Sequence, residues 1–336
     1  MITQVRFQNF KALKNAELKL GAFNVIIGPN GSGKSSVLQG LQALAEPHWI
    51  DYQKSISAGA SQKEIKIITP QVQKGIVKQA GLSVRLGNQS NYFWGDSNNE
   101  IYKPVDKDFQ LLPLYQRIKI FAFESSSLAR PVEPRSWTAL NREGSNLAGA
   151  LTYLRDKDDE AYTQLREELQ RWIPEYDSIG FENDSNGYRQ LTLRQKVSKQ
   201  HIPASQASEG TLLALALLTI VHQPVPPVLI GLEEPDRGLH PRLLRELRDA
   251  LYRLSFPCDF GIKRDPVQVV VTTHSPFFLD LFKDHPEQVI IAEKGADGTA
   301  TFKNLSDDKE LRELIGDAPL GEVWYSGVLG GVPVPV

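Results

Sequence analysis

A single cysteine, Cys258, and a single methionine stand among 336 residues. One thiol can neither close an internal disulfide nor furnish a thiolate metal cluster, which suits a reducing cytoplasm. Long hydrophobic runs are also lacking. The longest, 212–221, is about half of the ~20 residues needed to cross a bilayer and contains Thr219. The opening MITQVRFQNF has no apolar core of the kind a secretory signal requires. Neither a membrane partner nor export is therefore expected. Charge excess is absent as well: 38 basic residues face 40 acidic ones, a net of −2, which predicts no overall attraction to nucleic acid.

What is present is an ordinary globular composition, 41% hydrophobic, enough for one large domain or two modest ones. Locally the charge is uneven. Residues 54–85 carry Lys54, Lys63, Lys66, Lys74, Lys78 and Arg85 against one acid, Glu64. Such a stretch is either a solvated Lys-rich sheet face that discourages edge pairing or a contact surface for a DNA backbone.

The chain opens with strand patterns, VRFQNF, AELKL and the apolar FNVII at 23–27. The third runs into GPNGSGKSS (28–36), which fits G-x-x-x-x-G-K-[ST] through Gly28, Gly33, Lys34 and Ser35, and the helical pattern VLQGLQALA follows. A glycine-rich turn between strand and helix lets successive N–H groups point inward and cradle phosphate oxygens, with the helix dipole behind them. Asn30, Gly31, Ser32, Gly33, Lys34, Ser35 and Ser36 are the candidate nucleotide-binding residues. Lys34 would reach the β- and γ-phosphates and the Ser35 hydroxyl would ligate Mg²⁺.

From 46 to 116 the texture shifts to short alternating runs, read as an inserted β-rich lobe in which GNQSNYFWGDSNNE is a hairpin or loop. RIKIFAF (117–123) is expected to return the chain to the central sheet. Helices are expected over 145–156 and 160–173, the second halted by Pro174, within a helical subdomain that closes near 200. A third segment, SQASEGTLLALALLTIVHQ (205–223), is apolar on every side and so reads as a buried helix beginning at Ser208. Two later apolar strands, VLIGL and QVVVTT, end in Glu233-Glu234 and His274 respectively. In open α/β sheets, ligands gather at such carboxyl ends.

These segments, in this order, resemble an ABC-type ATPase head of the RecF/SMC-like class, similar to the small bacterial AAA-family ATPases related to overcoming-lysogenization-defect proteins. GPNGSGKSS is similar to Walker A, ASEGT to the signature motif, VLIGLEEP to Walker B, DRGLHP to the D-loop and TTHSP to the switch-histidine loop. REGSNLAGAL (142–151) and the tail GEVWYSGVLGG (321–331) also resemble segments of these ATPases, the tail without an assigned role. The signature departs from the common pattern by placing Glu209 between Ser208 and Gly210, and the metal-side acid is Glu233 rather than Asp. For the magnesium-sensing glutamine only Gln110 and Gln116 offer themselves.

The resemblance implies an α/β P-loop NTPase fold with a mostly parallel central sheet, an antiparallel β-rich lobe and a helical subdomain. A single composite domain is expected, with segments at 1–45, 46–116, 117–200, 201–310 and 311–336. It also implies a homodimer that closes head-to-tail on two ATP molecules. Lys34, Glu234 and His274 would be catalytic, Ser35 and Glu233 would hold Mg²⁺, Ser208, Glu209 and Gly210 would act in trans, and Asp236 would couple the two sites.

The biological setting is read as DNA repair or phage defence, with a separate effector or nuclease protein as a candidate partner. A nucleotide-gated switch without DNA and a transporter ATP-binding subunit are the alternatives. The 174 residues between Lys34 and Ser208 argue against the transporter, and Glu234 argues against a non-hydrolysing switch. Only 62 residues follow His274, too few for an appended nuclease domain. The arginines Arg242, Arg245, Arg248 and Arg253 are read as a solvated helix face rather than a DNA contact.

Overall fold

The apolar run FNVII forms strand β3 (Phe23–Ile27), with all five residues buried, as expected of a strand covered on both faces. The computed structural model describes residues 1–49, 51–58, 64–73, 76–85, 89–96, 103–104, 112–308, 315–316 and 318–330. The chain divides into two compact units. The first comprises Met1–Ile120, Pro227–Leu232 and Pro266–Val336, and the second Phe121–Pro226 and Glu233–Asp265.

In the first unit, β1 (Gln4–Phe10) and β2 (Leu13–Lys19) open the chain and β3 follows. β4 (Glu64–Gln73), β5 (Ile76–Arg85), β6 (Gln89–Asp96) and β7 (Lys103–Pro104) come next. Their sheet runs β2-β1-β4-β5-β6-β7, so the expected lobe continues the sheet begun by the first two strands. The register sets Phe7 opposite Ala16 on one side and Ile67 on the other. The stretch 87–100, expected as a hairpin or loop, contributes β6, which pairs with β5 from Lys78 to Arg85. Its Tyr92-Phe93-Trp94 run has high strand propensity, and that outweighs the Asn, Ser and Gly around it.

The central sheet has the order β15-β14-β3-β13-β12-β8. It uses β8 (Ile118–Phe121), β12 (Leu229–Glu233), β13 (Gln268–Thr272), β14 (Val289–Lys294) and β15 (Ala300–Asn304). β13 and β14 flank β3 and both run parallel to it, while β15 is antiparallel to β14. Two buried polar side chains of this core, Asn24 and Gln268, are satisfied. Asn24 bonds Gly21 and the Val269 carbonyl, and the Gln268 amide bonds both the N–H and the carbonyl of Ile2 at 2.9 and 2.7 Å. Helix α1 (Lys34–Ala45) shares one apolar cluster with inward residues of both sheets: Leu38 and Leu41 belong with Phe7 and Ile67 as well as Ile26 and Val270.

The second unit is mainly helical. α2 (Leu147–Lys157) is followed by α3 (Asp159–Trp172), which Asp158 caps and which ends just before Pro174. A three-stranded antiparallel sheet follows, β9 (Tyr176–Asn183), β10 (Arg189–Gln195) and β11 (His201–Pro203). α4 (Glu209–His222) buries every residue from Thr211 to Val221, and Thr219 satisfies its hydroxyl on the Leu215 carbonyl at 2.7 Å. α5 (Leu243–Ser255) presents Leu244, Leu247, Leu251 and Leu254 to the interior.

The arginine face of α5 is only partly the solvated surface expected. Arg248 pairs with Asp249 at 2.6 Å, but Arg253 turns to Glu168, which is 4% exposed. Glu168 also bonds His222 at 2.9 Å, tying α3 to the ends of α4 and α5. Burial by itself would raise the Glu168 pKa. Hydrogen bonds from His222 and Arg253 reverse this and hold the carboxyl below its ordinary value.

Candidate nucleotide-binding site

Where β3 ends, Gly28 adopts φ +150°, and a Cβ there would lie 2.2 Å from the Ala292 carbonyl. Gly33 adopts φ +94° with Ala300 and Leu13 pressed against it, so both ends of GPNGSGK require glycine for conformation and for space. Between them the loop wraps its own lysine. Lys34, 6% exposed, donates from its ammonium to the carbonyls of Gly28 and Pro29 at 2.8 and 2.9 Å.

Gly33 caps α1 without a side-chain bond, and no acid lies in the first turn. The leading N–H groups therefore keep their partial positive charge facing the loop. Ser32 is fully buried, yet its Oγ has no hydrogen-bond partner. An orphan hydroxyl costs on the order of 1–3 kcal/mol, which a ligand oxygen would relieve. Asn30 and Gly31 are exposed at the tip, and Ser35 and Ser36 are half-buried on the first helical turn. A cradle of glycines, an uncapped helix start, a buried ammonium and an unsatisfied hydroxyl together fit a polyphosphate.

The histidine loop leaves the same edge of the sheet. β13 sets Thr272 opposite Ile26, and the next N–H, that of Thr273, donates to the Ile26 carbonyl at 3.2 Å. Half-buried His274 follows. The Thr273 hydroxyl accepts from Ser275 N–H at 2.9 Å, and Ser275 caps the short helix α6 (Pro276–Leu279) by accepting from Phe278 N–H at 3.2 Å.

In the second unit, a cleft brings together Glu209, Glu233, Glu234 and Arg237 beside Phe123 and Leu213. Glu233 is the last residue of β12, and Glu234 breaks from the strand with φ +45°. A left-handed conformation costs a non-glycine residue ~1–2 kcal/mol, and Pro235 behind it would normally push Glu234 toward extended backbone. Glu234 thus leaves the strand through a strained turn, and both carboxylates line the same cleft. Each acid-rich end has a guanidinium near it: Arg142 stands 3.6 Å from Glu233, and Arg237 stands 3.7 Å from Glu209.

Ser208 caps α4, its Oγ accepting from Thr211 N–H at 3.2 Å. Gly210 lies so close to the turn after Asp236 that a Cβ would come 2.6 Å from the Gly238 carbonyl. The main-chain carbonyl of Asp236 closes that turn by accepting from Leu239 N–H at 3.2 Å.

The structure thus assembles two groups. Residues 28–36 and His274 share one sheet edge in the first unit, and Glu209, Glu233 and Glu234 share a cleft in the second. Arg142 and Arg237 escaped the sequence reading, although both lie in segments that carried the resemblance. Among the described residues no cluster of three or more His, Cys, Asp or Glu could hold a metal. One carboxylate, a serine hydroxyl and ligand phosphates are, however, what Mg²⁺ characteristically takes.

Of the basic stretch, Lys63, Lys74 and the side chains of Lys78 and Arg85 lie outside the described residues. Lys54 pairs with Asp51 at 3.6 Å and Lys66 with Glu64 at 3.5 Å. Gln110 also lies outside the described residues, and Gln116 is exposed at the end of a short helix, Leu112–Gln116. The segment DDKELRELI (307–315), whose pattern reads as a helix, falls mostly on residues outside the described ones. Among the described residues no helix is long and apolar enough to cross a membrane.

The family model described as "AAA domain, putative AbiEii toxin, Type IV TA system" matches residues 23–280. An OLD nuclease from Thermus scotoductus is 22% identical over 377 residues, covering 93% of this chain and 67% of that protein. The chromosome partition protein Smc of Methanococcus voltae is 46% identical over 41 residues, 12% of this chain and 3% of that protein. Among solved structures, the recombination mediator protein RecF in the RecFOR pathway, solved as RecF-ATPrS, has a TM-score of 0.50 at 11% identity, with 90% and 98% of the two chains covered. The SMC head domain from Thermotoga maritima gives 0.48 at 13% identity, with the same coverage. The fold is that of the RecF structure, a mixed α/β arrangement around a mostly parallel central sheet of the P-loop NTPase kind.

Proposed function

The chain belongs to the AAA-domain family matched over residues 23–280 and is an ABC-type, RecF/SMC-like ATPase related to OLD proteins; from that premise we propose that it hydrolyses ATP with Mg²⁺ and dimerises head-to-tail around two nucleotides. The observation that carries this reading is the phosphate loop, whose lysine, glycines and orphan Ser32 hydroxyl are arranged for a polyphosphate.

When bound, Mg²⁺ neutralises phosphate charge. Ser35 and Glu233 are assigned to hold it, the two acids after β12 having separate tasks. Lys34 balances charge on the β- and γ-phosphates. Glu234, the strained acid, orients and polarises the attacking water, and His274 donates to the γ-phosphate. Across the dimer, Ser208 and the Gly210 N–H contact the γ-phosphate of the partner's nucleotide, with Glu209 alongside, and Asp236 couples the two sites. Loss of the γ-phosphate removes those contacts and frees the heads.

The work done by this cycle is assigned to DNA repair or phage defence in the cytoplasm, together with a separate effector or nuclease. The OLD nuclease and RecF likenesses support that setting. The deciding experiment is Glu234→Gln. This variant should bind ATP as the parent does, lose at least ~100-fold in turnover, and accumulate as a nucleotide-locked dimer on size exclusion. Unchanged hydrolysis would remove Glu234 from its role.

A further inference from the structure

The tail GEVWYSGVLGG has no part in the scheme above, yet it lies against the histidine loop. We propose that residues 318–330 form a clamp that positions His274, with Gly321 and Asp280 as positioning residues; this rests on the reading of His274 as a γ-phosphate contact.

Helix α7 (Leu320–Tyr325) is anchored by Leu320, Trp324 and Leu329, which are 2, 7 and 4% exposed. Its second residue, Gly321, is buried against α6. A Cβ there would lie 2.5 Å from the Pro276 carbonyl oxygen and 2.7 Å from the Pro276 Cβ. Two backbones are in contact at that point, so any larger residue must push Pro276 aside. The Gly321 N–H, in turn, donates to Asp280 Oδ1 at 2.6 Å.

The consequence follows from helix length. α6 has four residues, and so short a helix does not hold itself in water. Its place is set from both sides. Thr273, one residue before His274, is pinned to Ile26 of β3 by its N–H. Pro276, two residues after His274, is pinned by Gly321, and Asp280 beyond it by the same glycine's N–H. His274 is thus suspended between a fixed point on the central sheet and a fixed point on the tail. The far end of the clamp also comes close to this sheet: Gly330, at φ +71°, lies so near the Glu293 side chain that a Cβ would come 2.1 Å from its Oε1. Glu293 belongs to β14, the other neighbour of β3.

The test uses the whole chain and four variants: Asp280→Ala, Gly321→Ala, His274→Ala and the double variant His274→Ala/Gly321→Ala. Asp280→Ala, which removes the acceptor of the Gly321 N–H, should leave the Kd for ATP within about twofold and lower kcat about 10- to 100-fold, since sub-ångström misplacement of a contact group is costly. In the His274→Ala background, Gly321→Ala should cost nothing further, because its effect runs through the missing imidazole. Hydrogen exchange over 273–279 should rise in Asp280→Ala whether or not turnover is measured.

Equal loss from Gly321→Ala in both backgrounds, or unchanged exchange in Asp280→Ala, overturns the clamp. A wild-type chain without ATPase activity, or a fully active His274→Ala, instead breaks the reading of His274, while exchange still decides the clamp. If Gly321→Ala fails to fold, Asp280→Ala, which removes the acceptor without adding bulk, carries the test.

Discussion

The Lys34 ammonium donates to the Gly28 carbonyl at 2.8 Å, so the residue that begins α1 also closes the loop that precedes it. Lys34→Ala removes a charge and takes the ammonium donor from the Gly28 carbonyl and from that of Pro29, which keeps the Ser32 N–H at 3.3 Å. We expect the Kd for ATP to rise by at least ~10-fold, with a stability loss of about 1–3 kcal/mol in urea. An isothermal titration giving wild-type affinity would rule out the phosphate role.

Ser208 separates a local role from a trans role. Within the monomer, Ser208→Ala deletes the cap on α4 and the 2.8 Å bond to the Thr211 hydroxyl and should cost ~1 kcal/mol of stability. Ser208→Arg should leave nucleotide binding by the monomer intact but prevent ATP-dependent dimerisation. Sedimentation with and without ATP reads this directly, and a Ser208→Arg chain that still dimerises sinks the head-to-tail arrangement.

Glu168 predicts a pH signature. A carboxyl whose folded pKa is depressed lends stability that is present above its unfolded value and lost as pH falls through the folded one. The gap in unfolding free energy between the parent and Glu168→Gln should therefore be full at neutral pH, about 3–5 kcal/mol for a broken buried ion pair, and should shrink below the ordinary value of 4.5. Parallel guanidinium titrations at several pH values would measure it. A gap that grows in acid contradicts the assignment.

DNA is the test of the setting. ATPase rate measured with single- and double-stranded DNA across a salt series should show stimulation that falls steeply with salt, because phosphate contacts release counterions. A rate indifferent to DNA at low salt moves the function to a protein partner.

Much of the first unit was legible because its signals are short-range. FNVII and QVVVT are largely apolar runs, and both became fully buried strands. GPNGSGKSS needs its glycines for local backbone reasons, and these are evident at Gly28 and Gly33. Ser208 was read as a helix start from residue type and caps one. What could not be read depends on chain-distant partners. β4 joins β1 because Ile67 falls opposite Phe7, which no local pattern announces. Arg253 was assigned to solvent on helix periodicity, but its partner Glu168 lies 85 residues earlier. Likewise the left-handed turn at Glu234 precedes a proline, where sequence rules favour extended backbone.

The placement of β3 between β13 and β14 also has a timing consequence. Neither neighbour exists until the ribosome has passed residue 268, and the bonds from Gln268 to Ile2 cannot form sooner. At ~5–20 residues per second the phosphate loop waits on the order of ten seconds or longer for a sheet to stand on. By then every residue of the second unit has been synthesised. A truncation at any point before Val289 would therefore abolish nucleotide affinity while leaving each residue of GPNGSGKSS in place.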